Sequence, residues 1–101
     1  MAYRRVLAAV ELPPREPTPA EVDGVPLCLV RLDDHIAAFV DRCPHRGSAL
    51  SEGRLDGTVL TCATHSWQFD VRTGELEHLR APDRLDLRTA RERDGDIEVD
   101  T

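Results

Sequence analysis

The chain has 101 residues, 41 % hydrophobic and 32 % charged, with a formal net charge of −6 at pH 7. This length predicts one domain over residues 1–101, and the composition is ordinary for a soluble globular protein. Nucleic acids and anionic membranes attract clustered Lys and Arg, so the negative net charge argues against either of them as a partner. A negative surface suits a protein partner with a basic patch, or simply maintains solubility.

Short apolar segments separated by frequent turn signals predict an all-β fold. In chain order, the predicted strands span residues 3–10, 25–32, 36–40, 58–61, 67–71, 85–87 and 97–99. The last two alternate apolar with charged residues, as half-buried strands do. No segment predicts a helix longer than one or two turns, and residues 48–52 are the candidate for such a turn.

The connections carry residues that favour turns. Four prolines make residues 12–19 a loop or an extended connector. Asp33-Asp34-His35 predicts a hairpin turn between the second and third strands, and Asp94-Gly95 predicts another between the last two. Residues 43–53 and 62–69 are the most unusual stretches, and binding residues often lie in such loops.

The cysteines and the N-terminus bear on the cellular compartment. The N-terminus lacks a long apolar region and a small-residue cleavage site, and no apolar run approaches the roughly 20 residues that cross a membrane. We therefore expect a cytoplasmic protein. The odd cysteine count (Cys28, Cys43 and Cys62) argues against a disulfide scaffold and for metal or thiol chemistry. Cys28 lies within an apolar strand and is expected in the core.

The two unusual loops carry four residues of metal-ligand type. The first contains Cys43-Pro44-His45 and the second contains Cys62-Ala63-Thr64-His65, so the pattern is C-x-H, sixteen residues, then C-x-x-H. Two thiolates and two imidazoles are sufficient for one metal site, although such residues also reach this spacing by chance.

The division of ligand types between the loops bears on which metal is bound. A zinc finger usually has two Cys on one arm and two His on the other. Here each loop carries one Cys and one His. In a Rieske centre two Cys bind one iron of a [2Fe–2S] cluster and two His bind the other, which matches this division. Zinc stays open as the alternative.

Residues 43–53, which read Cys-Pro-His-Arg-Gly and end in Leu-Ser-Glu-Gly, resemble the first cluster loop of Rieske-type ferredoxins of multicomponent oxygenases. Residues 62–70 with the following Thr73-Gly74 resemble the second loop. The resemblance implies a Rieske-like fold of small antiparallel sheets with two cluster-binding loops at one end. It further implies one [2Fe–2S] cluster per chain, held by Cys43, His45, Cys62 and His65.

The same resemblance implies a function. The chain would be a one-electron carrier and not an enzyme, with no small-molecule substrate of its own. It would take electrons from a flavin-dependent, NAD(P)H-dependent ferredoxin reductase and pass them to a terminal oxygenase.

Departures from the high-potential members of the family predict a low reduction potential. Ser48 and Thr64 stand where those proteins have a disulfide, and Trp67 and Phe69 stand where they have hydroxyl donors to the cluster sulfurs. Without those hydrogen bonds we expect a potential of about −150 mV, the low end of the Rieske range. Ser66 replaces the usual Gly, so the backbone conformation there is open to question.

Other functions remain as alternatives. The chain resembles, less closely, the Rieske small subunit of a nitrite-reductase-like complex. A structural zinc-binding module is a further alternative. Autonomous oxygenase catalysis would need a separate iron held by two His and a carboxylate, and only His35 and His78 are left for it.

Overall fold

The computed structural model describes residues 2–44, 47–63, 66–77 and 83–100, so predictions for His45, Thr64, His65 and His78 lie outside it. The described residues confirm the all-β fold. They form β1 (Tyr3–Ala8), β2 (Thr18–Val22), β3 (Val25–Arg31), β4 (Ile36–Val40), β5 (Arg54–Asp56), β6 (Val59–Thr61), β7 (Gln68–Asp70), β8 (Leu87–Arg93) and β9 (Asp96–Asp100). Two single-turn 3₁₀ helices cover Ala9–Glu11 and Leu50–Glu52. Among these residues, no helix has the length and apolar character to cross a membrane.

The strands form two antiparallel sheets. The larger has the order β1-β9-β8-β4-β3-β2 and the smaller has the order β5-β6-β7. Arg4 of β1 forms an ion pair of 3.4 Å with Asp23, which follows β2, so the outer strands of the larger sheet approach each other and nearly close a barrel. The first cysteine loop leads from β4 into the small sheet, and the second joins β6 to β7.

The turn chemistry explains the predicted hairpins. Asp94 and Gly95 have φ values of 52° and 82°, so both central residues of the β8–β9 turn are left-handed. This is the type I′ arrangement, whose twist matches that of the flanking strands and which Asp-Gly favours. The hairpins at Asp94-Gly95 and at residues 33–35 are both confirmed.

Strand β3 separates two hydrophobic cores. Leu27 and Leu29 face the inside of the six-stranded sheet, whereas Cys28 and Val30 face the small sheet. All four are fully buried, because successive side chains of a strand alternate between its faces and both faces are covered here. The predicted core position of Cys28 is confirmed. The core against the small sheet also contains Phe39, Cys43, Leu50, Leu60, Cys62, Phe69 and Val71.

Several strand limits differ from the predictions. The predicted strand at 85–87 was wrong in position, since β8 begins at Leu87 and runs through a charged segment that shows little alternation. Strands β2 and β5 were not predicted. Pro19 is tolerated in β2 because that strand pairs only with β3 and lies at an edge. The three residues of β5 are too few to give a pattern and depend on pairing with β6.

Ion pairs in the β3–β4 turn connect the two sheets. Arg72, which follows β7, donates to both carboxylate oxygens of Asp34, at 3.3 and 2.7 Å. Arg15 pairs with the adjacent Asp33 at 2.6 Å and also donates to the Gly57 carbonyl in the β5–β6 turn. The turn therefore holds the end of the small sheet that lies away from the cysteine loops.

We expect Asp34→Asn to lower stability in a pH-dependent way. Hydrogen bonds from Arg72, and then from His35, hold the pKa of the Asp34 carboxyl well below its ordinary range. The unfolded value is about 3.9, so the contribution is present above about pH 4 and is lost as the pH falls toward the folded pKa. Urea midpoints of wild type and variant should differ at pH 7 and converge in acid. A difference that persists unchanged at pH 2.5 would contradict this account.

Candidate metal centre

The first cysteine loop is closed by two backbone hydrogen bonds around Cys43. Its N–H donates to the Ser48 carbonyl and its carbonyl accepts from the Gly47 N–H, both at 2.7 Å. Gly47 has a φ of 78°, a conformation that glycine adopts without steric cost. The turn keeps the backbone of Cys43 in place while its side chain is buried.

The second loop repeats the same arrangement around Cys62. Its N–H donates to the Trp67 carbonyl at 2.7 Å, and its carbonyl accepts from the Ser66 N–H at 3.0 Å. Acceptor and donor lie five and four residues after the cysteine, as they do in the first loop. Ser66 has a φ of 57° and so adopts the left-handed conformation that Gly47 adopts. This resolves the question that the sequence left about the backbone at this position.

We expect Ser66→Gly to stabilise the protein by about 0.5–1 kcal/mol. A left-handed residue with a Cβ costs about 1–2 kcal/mol, part of which is offset because glycine has more freedom when unfolded. Urea unfolding at equal metal content measures the change. Ser48→Gly is the matched control, since Ser48 is not at positive φ and the same substitution should destabilise there. Equal effects of the two variants would refute the strain at Ser66.

Both cysteines project into one core. Cys43 and Cys62 are each 1 % exposed and belong to the same cluster as Leu50, Leu60 and Phe69. The other three residues of this group are apolar, so the two thiol groups are shielded from bulk water on the protein side. Low polarity around the thiols suits a metal centre that the two loops would hold from opposite sides.

Two further contacts hold the first loop together and place it against the second. Both carboxylate oxygens of Asp41 accept from Ser51, one from its N–H at 2.7 Å and one from its hydroxyl at 2.6 Å. Gly53 then packs against the carbonyl of Thr61, where an added Cβ would lie 2.2 Å from the oxygen. Thr61 directly precedes Cys62, so the end of the first loop lies against the start of the second.

The aromatic residues of the second loop differ in exposure. Phe69 is fully buried and Trp67 is half-buried, with ring centroids 6.4 Å apart and planes inclined by 44°. Both pack in the core that contains the cysteines.

The structure describes two of the four predicted ligands. It brings Cys43 and Cys62 into one core, whereas His45 and His65 lie outside the described residues. His35, which was not among the predicted ligands, is exposed in the β3–β4 turn, and its Nδ1 lies 2.9 Å from an Asp34 oxygen. Cys28 lies in the same core, and burial raises the pKa of its thiol far above the ordinary value.

Three residues support the loops in a way that was not predicted from the sequence: Asp41, Ser51 and Gly53. Asp41 and Ser51 are ten residues apart and carry no periodic signal, so their pairing becomes visible only when the loop is folded. Gly53 was part of the motif, but its close approach to Thr61 depends on the pairing of β5 with β6.

A small antiparallel β-structure with two matching cysteine loops defines a class of metal-binding proteins. The donor set fits an iron–sulfur cluster, because two buried thiols at equivalent loop positions are what one ferric ion of a Rieske centre requires. The sequence model of the Rieske [2Fe-2S] domain matches residues 3–91. The chain therefore belongs to the Rieske [2Fe–2S] family, as the motif predicted.

Individual relatives agree with this assignment. The biphenyl dioxygenase ferredoxin subunit of Pseudomonas sp. (strain KKS102) is 33 % identical over 78 residues, covering 76 % of this chain and 72 % of that protein. The ferredoxin of carbazole 1,9a-dioxygenase from Nocardioides aromaticivorans IC177 superposes with a TM-score of 0.87 at 28 % identity, over 98 % of this chain and 97 % of that one.

A third similarity is to a complex of reduced oxygenase and oxidised ferredoxin in carbazole 1,9a-dioxygenase. One of its chains has a TM-score of 0.84 and 31 % identity, over 96 % of this chain and 91 % of that one. Other curated relatives are much longer, and this chain spans 12 % of one of them.

Proposed function

We propose that the chain is a one-electron carrier of an oxygenase system. It holds one [2Fe–2S] cluster per chain through Cys43, His45, Cys62 and His65. It accepts electrons from a flavin-dependent, NAD(P)H-dependent reductase and delivers them to a terminal oxygenase in the cytoplasm. The observation that carries the proposal is the pair of equivalent loops that bury Cys43 and Cys62 in one core.

The residues of the chain supply the conditions for electron transfer. When bound, the cluster takes up and releases one electron. Cys43 and Cys62 ligate one iron as thiolates, and His45 and His65 ligate the other as neutral imidazoles. The two backbone bonds within each loop fix the backbone of each cysteine, which would keep the reorganisation on electron transfer small.

The exposed parts of the loops suit brief contact with a partner. Pro44 and Ala63, which directly follow the two cysteines, are exposed and have short side chains, and Arg42, which precedes Cys43, is exposed as well. These positions are open to a partner surface. The ferredoxin names of the relatives, and the solved complex of reduced oxygenase and oxidised ferredoxin in carbazole 1,9a-dioxygenase, support an oxygenase as this partner.

The decisive experiment is the metal content of the purified protein. We expect two irons and two acid-labile sulfides per chain, with visible absorption that bleaches on reduction. A colourless protein with one zinc and no sulfide would overturn the proposal in favour of a structural zinc module. Transfer of electrons from the reduced protein to a separately purified oxygenase would distinguish a carrier from a fixed subunit of a larger enzyme.

We also expect a midpoint potential near −150 mV. The fully buried Phe69 has no hydroxyl, and neither does Trp67, so neither side chain supplies an O–H donor to sulfur. Hydrogen bonds to sulfur stabilise the reduced, more negative state, and their absence lowers the potential. A spectroelectrochemical titration measures the midpoint, and a clearly positive value would contradict the prediction.

A further inference from the structure

Asp41 lies at the base of the first cysteine loop and is held by hydrogen bonds at both its backbone and its side chain. It follows β4 directly and precedes Cys43 by two residues. Its N–H donates to the Pro26 carbonyl at 2.9 Å, and its two carboxylate oxygens both accept from Ser51. The side chain is half-buried, and the bonds to Ser51 join the beginning of the loop to the 3₁₀ helix at its end.

No cation neutralises this carboxylate within the part of the chain that the structure describes. The ion pairs there involve other acidic residues, among them Asp33, Asp34 and Glu98. Asp41 receives two hydrogen bonds from neutral groups instead. A charge held in this way, without an ion-pair partner among the described residues and partly away from water, is weakly screened.

Asp41 lies beside the core that contains the two cysteines, because Ser51, which binds its carboxylate, directly follows Leu50, a buried residue of that core. Burial raises the pKa of the Cys28 thiol most, and the Asp41 carboxylate raises it further. Cys28 is fully buried and belongs to the same core cluster as Cys43 and Cys62. Asp41 is also closer in sequence to Cys43 than to Cys28, and it is fixed by bonds at both its backbone and its side chain.

We propose that Asp41 is a positioning residue that sets the redox potential of the site: it closes the first loop through Ser51, and its fixed negative charge opposes reduction. This inference rests on the proposed function. Reduction would add one electron from the external donor to the cluster held by the two loops and make it more negative by one charge. A nearby negative charge raises the free energy of that state and thereby lowers the midpoint potential.

The test compares the midpoint potentials of Asp41→Asn and Ser51→Ala at full iron content. Asparagine keeps the shape and an acceptor oxygen but removes the charge, so we expect reduction to become about tenfold more favourable, equal to about +59 mV for one electron. Ser51→Ala keeps the charge and removes the hydroxyl that partly screens it, so the midpoint should fall by a smaller amount. Shifts of opposite sign support the proposal.

Other outcomes would overturn it. If Asp41 only shapes the loop, both variants loosen the same contact and shift the midpoint in the same direction. If Asp41→Asn does not retain iron, the midpoint potential of Ser51→Ala becomes the test. A Ser51→Ala midpoint that rises or stays unchanged refutes the proposal.

Asp94→Asn is the control for net charge. It removes one negative charge from the β8–β9 turn, where the side chain is 93 % exposed and the backbone is left-handed, a conformation that Asn tolerates. We expect no shift, and a shift equal to that of Asp41→Asn would mean that overall charge is responsible. An iron-free wild-type protein would refute the proposed function, whereas an iron-loaded one with an unshifted Asp41→Asn refutes only this inference.

Discussion

Replacing Cys62 by serine is expected to remove the cluster and to lower the free energy of unfolding by roughly 3 kcal/mol or more. The proposed cluster would join two loops that otherwise depend on short strands and single-turn helices, so it would contribute directly to folding. Cys62 lies in the centre of the core shared by both loops, where a serine hydroxyl is a poor ligand for iron. Iron and sulfide analysis together with urea unfolding measure the two effects, and they should occur together.

Cys28→Ala is the matched cysteine control. Cys28 is as deeply buried as Cys62 and belongs to the same core, but it lies on β3 and outside both loops. This variant should keep its full iron content and lose about 1–2 kcal/mol from weaker packing. The coupling between site and fold would be disproved if Cys62→Ser unfolded with the wild-type midpoint, or if Cys28→Ala lost its iron.

Gly53→Ala is expected to be the most damaging glycine substitution in the described part of the chain. An added Cβ would lie 2.2 Å from the Thr61 carbonyl oxygen and 3.2 Å from the Leu50 carbonyl oxygen, so backbone must move. Overpacking of this kind costs about 1–3 kcal/mol and occasionally more. Because Thr61 precedes Cys62, the displacement also separates the cysteine loops, and we expect faster loss of iron to a chelator.

Gly24→Ala distinguishes the contact from backbone strain. Gly24 has a φ of 80° but nothing within 4 Å of an added Cβ, whereas Gly53 has a φ of −81°, which any residue adopts. If contact with Thr61 matters, Gly53→Ala loses more stability than Gly24→Ala and alone accelerates iron loss. The reverse order would show that the close approach is relieved without cost.

Local signals were sufficient for much of the fold. The apolar run of β3 and the Asp94-Gly95 turn gave correct hairpins, because turn conformation and side-chain alternation depend on neighbouring residues alone. Strand β2 was not predicted, because Pro19 indicates the end of a strand unless that strand is known to lie at a sheet edge. Strand β5 escaped because three residues hold no periodic pattern.

The candidate site was likewise predicted only in part from the sequence. The spacing of Cys43, His45, Cys62 and His65 was readable in the sequence, since ligand chemistry depends on residue type. The assignment of all four as ligands stays a prediction. The structure adds that both cysteines lie in one core and that the two loops share one hydrogen-bond pattern.

The all-β class and the family followed from residue type and local pattern, which also predicted the ligand types, because each is encoded in short stretches of the chain. How the loops are held became visible only in the folded structure. Asp41 and Ser51 meet only when the first loop is folded, Gly53 approaches Thr61 only when β5 pairs with β6, and Ser66 is left-handed in a loop closed around Cys62. None of these features leaves a periodic pattern in the sequence, because each depends on how the chain turns and pairs and not on residue type alone.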